Sequence, residues 1–306
     1  MVRLRSEHYE MKIGYPCLNR TIGCKAARTF RLKSYSEERV IDAVANNLDC
    51  LQNILAFNVE RDLLFFRITS DLVPFASHRV NQFDWQRYFT SQFRTIGRFI
   101  KAQNIRISMH PDQFTLINSI DAEVFERSVR ELRYHAAVLD LMGLDRAAKI
   151  QLHVGGVYGD KQASMQRFVT RYGELEDTIR RRLVIENDDR LYTLDECLQL
   201  HEETGIPVLF DVYHHEVNSS GASLREAVSR ITGTWKHRDG LPMVDYSSPA
   251  PSSQRRGKHA ETIDLRHFQQ FIEETAGLEF DLMLEIKDKE ASALQAVTVL
   301  KQLERI

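Results

Sequence analysis

The sequence predicts an α/β fold, a single-domain (β/α)8 barrel of the TIM type, and three observations carry that expectation. Eight short β-branched runs alternate with amphipathic stretches along 306 residues. No Gly-rich phosphate fingerprint opens any helical stretch, which argues against a doubly wound open sheet. Nearly every apolar run ends on an imidazole or a carboxylate, at the end of the strand where a barrel assembles its active site.

Taken in order, residues 11–17 read as the first strand and 36–55 as the helix behind it. That helix carries Val40, Val44, Leu48, Leu51 and Leu55 on one face, with Ser34 and Glu37 as a capping box before it. Residues 64–69 give the second strand and 85–103 its helix; 106–110 give the third, followed by 121–142. The fourth strand covers 149–154 with a helix at 161–172. The fifth covers 183–186 with a helix at 193–204, stopped by Gly205. Strands at 207–213, 242–246 and 280–286, with helices at 223–231, 264–275 and 291–303, complete the barrel. Residues 1–10 read as a short charged tail and 11–306 as one domain, with no repeat or low-complexity tract to divide it.

Composition narrows the function classes. Hydrophobic residues make up 43% and charged residues 27%, which excludes a disordered chain. With 41 Lys+Arg against 43 Asp+Glu the net charge is −2, so a uniformly basic nucleic-acid clamp is excluded and phosphate contacts must be local. Such local charge exists. Arg20, Lys25, Arg28, Arg31 and Lys33 follow the first strand without an intervening acid, and Arg255, Arg256 and Lys258 follow the seventh. No apolar run approaches membrane-spanning length and no apolar leader opens the chain, so no membrane partner and a cytoplasmic place are expected, nucleoid-associated if the source is prokaryotic. The protein is expected to act as a monomer. Cys17, Cys24, Cys50 and Cys197 lack CxxC spacing and read as free thiols of a reducing compartment.

The strand ends carry the chemistry. Tyr15 and Asn19 follow the first strand and His78 the second. The third ends at His110, the fourth at His153 and the fifth at Glu186. The sixth contributes Asp211, then His214 and His215; the seventh ends at Asp245, with His259 beyond it, and the eighth at Glu285. One such group is ordinarily a hydrogen-bonded structural residue, as expected of His135, His201 and His267 inside helices. So many converging on one mouth carry a desolvation penalty that only cations offset, so a polynuclear metal site is expected. Imidazole and carboxylate donors without a thiolate suit two to three divalent ions, Mn²⁺ first, with Zn²⁺ or Mg²⁺ as alternatives. Glu186, midway in chain order between the histidine-rich and acid-rich strands, is the candidate bridging carboxylate. Clustered divalent ions of this kind serve phosphodiester hydrolysis.

These residues also lie in recognisable motifs: Gly14-Tyr-Pro-Cys-Leu-Asn19, Ser70-Asp-Leu-Val-Pro-Phe-Ala-Ser-His78, Met109-His-Pro-Asp-Gln-Phe114, Leu152-His-Val-Gly-Gly156, Ile185-Glu-Asn-Asp-Asp189, Phe210-Asp-Val-Tyr-His-His215 and Leu284-Glu-Ile-Lys-Asp-Lys-Glu290. Together and in this order, from about residue 11 to 290, they resemble the UV damage endonucleases. The resemblance implies a barrel related to that of endonuclease IV, up to three divalent ions, usually Mn²⁺, and UV-damaged double-stranded DNA as the partner, incised immediately 5′ to the photolesion. It implies His110, His153, Glu186, Asp211, His214, His259 and Glu285 as metal ligands with His78 near them, and Glu186, His110, His153, Asp211 and Glu285 as the catalytic set. Tyr15 matches a residue that probes the lesion, with Asn19 beside it. Gln113 and Phe114 match a Gln-Tyr pair that enters the duplex opposite the lesion, a task for the aromatic face that Phe114 retains.

The seventh strand departs from the family pattern. Where the family commonly reads Lys-x-His-Tyr-Ser, this chain has Met243-Val-Asp245-Tyr-Ser. Met243 cannot be carboxylated, as that lysine is in some members, and Asp245 puts a carboxylate where an imidazole ligand is expected, favouring Mn²⁺ over Zn²⁺. Arg20, Lys25, Arg28, Arg255, Arg256 and Lys258 are the expected phosphate contacts. The rival readings are an abasic-site endonuclease on the same scaffold, a metal-dependent sugar isomerase or epimerase, and a catalytically inactive DNA-binding barrel.

Overall fold

The computed structural model describes residues 10–250 and 258–306. Eight parallel strands form a closed barrel in chain order, β8 pairing back to β1. They are β1 (Ile13–Pro16), β2 (Phe65–Ile68), β3 (Arg106–Met109), β4 (Lys149–His153), β5 (Leu183–Glu186), β6 (Val208–Asp211), β7 (Met243–Tyr246) and β8 (Asp281–Leu284). The helices between and after them are α1 (Glu37–Val59), α2 (Trp85–Tyr88), α3 (Thr90–Ala102), α4 (Ala122–Leu141), α5 (Lys161–Glu174), α6 (Asp177–Arg180), α7 (Leu194–Thr204), α8 (Val212–Val217), α9 (Leu224–Thr232), α10 (Leu265–Glu274) and α11 (Glu290–Gln302).

Alternation along each strand sorts its side chains into two compartments. One parity, including Ile13, Tyr15, Phe66, Ile68, Ile107, Met109, Ile150, Leu152, Phe210 and Leu282, joins the apolar helix faces in one continuous core. The other parity fills the barrel, where Phe65, Val184, Leu209, Met243 and Met283 form a separate apolar layer. Met243 therefore belongs to the barrel's interior filling, wholly buried. Gly14 faces the β2 backbone so closely that any Cβ would fall on the Phe65 carbonyl. Below the apolar layer, Arg106 meets Asp281 at 2.6 Å and Lys149 meets Asp239 at 2.6 Å. Above it lies the polar mouth.

The predicted elements all occur, with local differences that have physical causes. The first helix is capped by Ser36, whose side chain accepts the Arg39 amide at 3.3 Å, rather than by Ser34. The expected helix over 85–103 breaks at Phe89, which leaves helical geometry as its ring enters the core. The sixth strand stops at Asp211 because its carboxylate caps α8, accepting the His214 amide at 2.7 Å. Gly205 ends α7 in the left-handed conformation, as expected.

Two cysteines correct the sequence reading. Cys24 and Cys50 form a disulfide that ties the loop after β1 to α1, while Cys17 and Cys197 are free. The pairing escapes a spacing argument because the 26 residues between them are brought together only when the loop folds back on α1. Converting Cys24 and Cys50 to Ser and Ala is expected to lower unfolding free energy by about 2–4 kcal/mol, read from the urea midpoint with and without reductant.

Candidate metal centre and nucleic-acid face

Strand register brings the polar ends together: His153 pairs with Glu186 across β4 and β5, and Asp211 with Asp245 across β6 and β7. Three overlapping donor groups result: His110, His153 and Glu186; Glu186, Asp211 and His214; and Asp211, Asp245 and Glu285. Within each, the donor atoms lie within 4.8 Å of one another. Glu186 belongs to two of them, its Oε1 standing 3.0 Å from both His110 Nε2 and His153 Nδ1.

The imidazoles are oriented for cation binding. His110 Nδ1 lies 2.7 Å from the Pro111 carbonyl, His214 Nδ1 3.0 Å from the Asn187 carbonyl and His259 Nδ1 2.9 Å from the Glu285 carbonyl. A carbonyl only accepts, so each Nδ1 carries a proton, and each Nε2 offers a lone pair whenever the ring is neutral. Asn187 also exchanges two 2.9 Å hydrogen bonds with the Asp211 backbone, fixing that carboxylate from behind. His259 Nε2 approaches Glu285 Oε2 to 3.8 Å, at the edge of the cluster.

Four carboxylates stand at this mouth, and they shift one another. Burial, reinforced by Glu285 and Glu186, pushes Asp211 up to about 6 against the pull of His214. Burial opposes the charge on His214, yet Asp211, Glu186 and Glu285 raise it to about 9. Glu186 is buried, but His153, His110 and His214 hold it at about 2. Burial pushes Asp245 well above the usual carboxylate range even beside Arg67. This surplus of buried negative charge, with imidazole lone pairs facing it, fits divalent cations chemically.

Arg67 and Gln151 join the site although neither ends a strand. Both point into the barrel from strand interiors, beneath the cluster. Arg67 Nη2 donates to Asp245 Oδ2 at 2.7 Å and to Gln151 Oε1 at 2.6 Å, and its Nη1 pairs with Glu285. Gln151 Nε2 donates to Asp245 Oδ2 at 2.6 Å and to Glu186. The available signal was a charged residue inside the apolar run Phe65-Phe-Arg-Ile68 and an amide inside Lys149-Ile-Gln-Leu-His153. Asp245, expected as a ligand, is thus both a member of one donor group and the partner of Arg67.

Other expected positions fall differently. Tyr15 packs outside the barrel. It is fully buried among the helices, its hydroxyl donating to Asn58 at 2.7 Å and accepting from Asn19 at 2.8 Å. Asn19 is buried too, its Oδ1 holding the amides of Thr21 and Ile22. Tyr15 has the strand parity that faces outward, so it and Asn19 form a buried pair behind the first loop. His78 lies outside the three donor groups, exposed on a turn where its Nδ1 accepts the Val80 amide at 3.0 Å. It lines a cavity of about 530 Å³ together with Arg79, Phe114, Arg127 and Arg130.

The loops around the mouth expose aromatic and basic side chains. Phe114 is 73% exposed beside exposed Gln113, at a tip shaped by Asp112 accepting the Phe114 amide at 2.8 Å. Arg20, Lys25, Arg28, Arg31, Lys33 and Lys258 are all exposed. Buried Asn47 of α1 grips the first loop, bonding both the amide and the carbonyl of Arg28 at 2.7 and 3.0 Å. Arg255 and Arg256 lie outside the described residues.

Replacing Arg67 by Met leaves Asp245 and Glu285 facing each other without a cation, and should lower metal-free stability by about 3–5 kcal/mol in urea unfolding. His214 sets a pH dependence. Its folded pKa of about 9 exceeds the ordinary 6.5, so its contribution is complete below pH 6.5 and lost as pH rises through 9. The Tm of chelator-treated protein should therefore fall across that window, less so in His214→Gln, while Mn²⁺ affinity should rise as the imidazole gives up its proton.

The UV-endonuclease UvdE family model matches residues 11–306. A UV DNA damage endonuclease of Clostridium perfringens (strain 13 / Type A) is 38% identical over 297 residues, covering 96% of this chain and 72% of its own. The crystal structure of SacUVDE superposes with a TM-score of 0.93 at 45% identity, covering 97% of this chain and all of the other. Endonuclease IV from Thermus thermophilus, at 14% identity and a TM-score of 0.58 over 95% of this chain and 99% of its own, shares the fold. With the family pattern running through nearly the whole barrel, the chain belongs to the UV-endonuclease UvdE family of DNA-repair endonucleases.

Proposed function

We propose that the protein is a metal-dependent endonuclease that nicks duplex DNA immediately 5′ to UV photolesions, pyrimidine dimers and 6-4 photoproducts, leaving 3′-hydroxyl and 5′-phosphate ends. The observation that carries this reading is Glu186, shared between two donor groups in a mouth where four carboxylates face imidazole lone pairs. His110, His153, Glu186, Asp211, His214 and Glu285 would hold two to three divalent ions, Mn²⁺ first, with His259 and Asp245 at the margin. When bound, such ions supply the acidity that makes water a nucleophile near neutral pH and the charge that offsets a phosphate.

The chain's own residues do the rest. Asn187 and the backbone carbonyls behind His110, His214 and His259 keep the ligands aimed, so little reorganises during reaction. Arg67 holds Asp245 and Glu285 apart from direct repulsion. Arg20, Lys25, Arg28 and Lys258, with Arg255 and Arg256, would hold the DNA backbone as a monomer's single binding face. Phe114, exposed at its loop tip, would fill the gap left by poorly stacked lesion bases, with Gln113 beside it. That apolar tip favours a duplex over a small sugar.

The test is incision of duplexes carrying one photolesion, one abasic site or neither, by chelated protein resupplied with Mn²⁺, Zn²⁺ or Mg²⁺ in turn. Photolesion duplexes should be cut, best with Mn²⁺, and Glu186→Gln should lose at least about 10²-fold in rate. Cutting confined to the abasic duplex would move the assignment to an abasic-site endonuclease.

A further inference from the structure

Lys289, in the turn between β8 and α11, has φ +57° and ψ −116°, a backbone conformation that side chains other than glycine's rarely adopt. The turn is held from several sides. Lys287 and Asp288 donate their amides to the carbonyls of Ala260 and Glu261 at 3.2 and 3.0 Å. Ser292 bonds the Asp288 carboxylate at 2.5 Å and accepts the Ile263 amide at 2.9 Å. Glu290, almost wholly buried, accepts the Arg20 amide at 2.8 Å. Such surroundings keep a strained residue in place, and they set Lys289 and Glu290 to opposite tasks: the acid turns inward to anchor the basic loop, and the lysine is left free.

The Lys289 ammonium has no hydrogen bond or ion pair among the described residues, whereas Lys287, two residues earlier, is paired with Glu261 at 2.5 Å. It is half-buried, and the charges that act on it are those of the mouth: Cys17 and Glu285 raise its pKa, and Arg67 and Arg20 lower it. Burial, the largest influence, draws its pKa below that of a free lysine. Cys17 does not neutralise it, because burial pushes that thiol up. A strained backbone thus presents an uncommitted cation beside the donor cluster.

We propose that Lys289 is a catalytic residue, its ammonium contacting a non-bridging oxygen of the phosphate that is cut. This rests on the reading of the mouth as a phosphodiester-hydrolysing site. The ammonium keeps its protons and forms no covalent bond; it offsets charge that builds on the phosphoryl oxygens as water adds and the 3′-oxygen departs.

The experiment is single-turnover incision of a photolesion duplex at saturating enzyme with Mn²⁺, alongside Kd and Tm, for wild type, Lys289→Gln, Lys289→Gly and Lys287→Gln. Lys289→Gln should lose about 10²-fold in rate with Kd changed by less than about threefold. Lys289→Gly should be equally slow yet as stable as wild type or more so, since glycine adopts this conformation without strain. Lys287→Gln should match wild type. Wild-type incision with Lys289→Gln within about threefold of it overturns the lysine's role alone. A rate loss that follows a fall in Tm in Lys289→Gln and is absent from Lys289→Gly also overturns it. Failure of the wild type on the photolesion duplex removes the reading on which the role rests.

Discussion

Glu186, Asp211, Asp245 and Glu285 share one barrel mouth, and among the described residues Arg67 is the guanidinium that reaches it from below, paired with two of them. Much of the architecture follows from keeping so many acids together. Burial opposes the charge on Arg67, but Asp245, Glu285 and Glu186 raise its pKa above the ordinary value, so it remains a permanent cation. Gln151 extends this support to Glu186 through its amide, linking both halves of the mouth. The apolar layer beneath, Met243 included, seals the network from the other end of the barrel. The arrangement leaves negative charge unmatched by the protein, and that remainder is what a divalent cluster would meet.

The same economy of position governs the rim. The basic loop after β1 has little regular structure, yet it is fastened by the Cys24–Cys50 disulfide, by Asn47 and by Glu290. Its cations are thereby carried on a defined edge of the mouth rather than on a loose segment, so a net charge of −2 coexists with a locally basic rim. Glu290 and Lys289 show how tightly rim and cluster are joined. Adjacent in sequence, one secures the basic loop and the other feels the charge of Glu285.

What proved legible in the chain was whatever ended a strand. His110, His153, Glu186, Asp211 and Glu285 each close an apolar run, and a parallel barrel places such ends together whatever its register in detail. Residues within a run were harder to place. Both faces of a parallel barrel strand are buried, so hydrophobicity does not distinguish the parity that faces the helices from the parity that faces the barrel. That ambiguity concealed Arg67 and Gln151 as inward groups and left open that Tyr15 points outward to Asn58. A shift of one residue in assumed parity reverses the role of every side chain on a strand.

By itself the sequence determined the barrel class, the order of its eight units, the family and the group of acids and imidazoles at the mouth, because periodicity, strand length and chemistry at run ends are local properties. Tertiary structure alone decided which donors approach within 4.8 Å, that Arg67 serves Asp245, that Cys24 meets Cys50, and that Lys289 stands on a strained turn without a partner among the described residues. Each of these depends on the distance between atoms far apart in the chain. Only barrel closure and the folding of the loops over it set those distances.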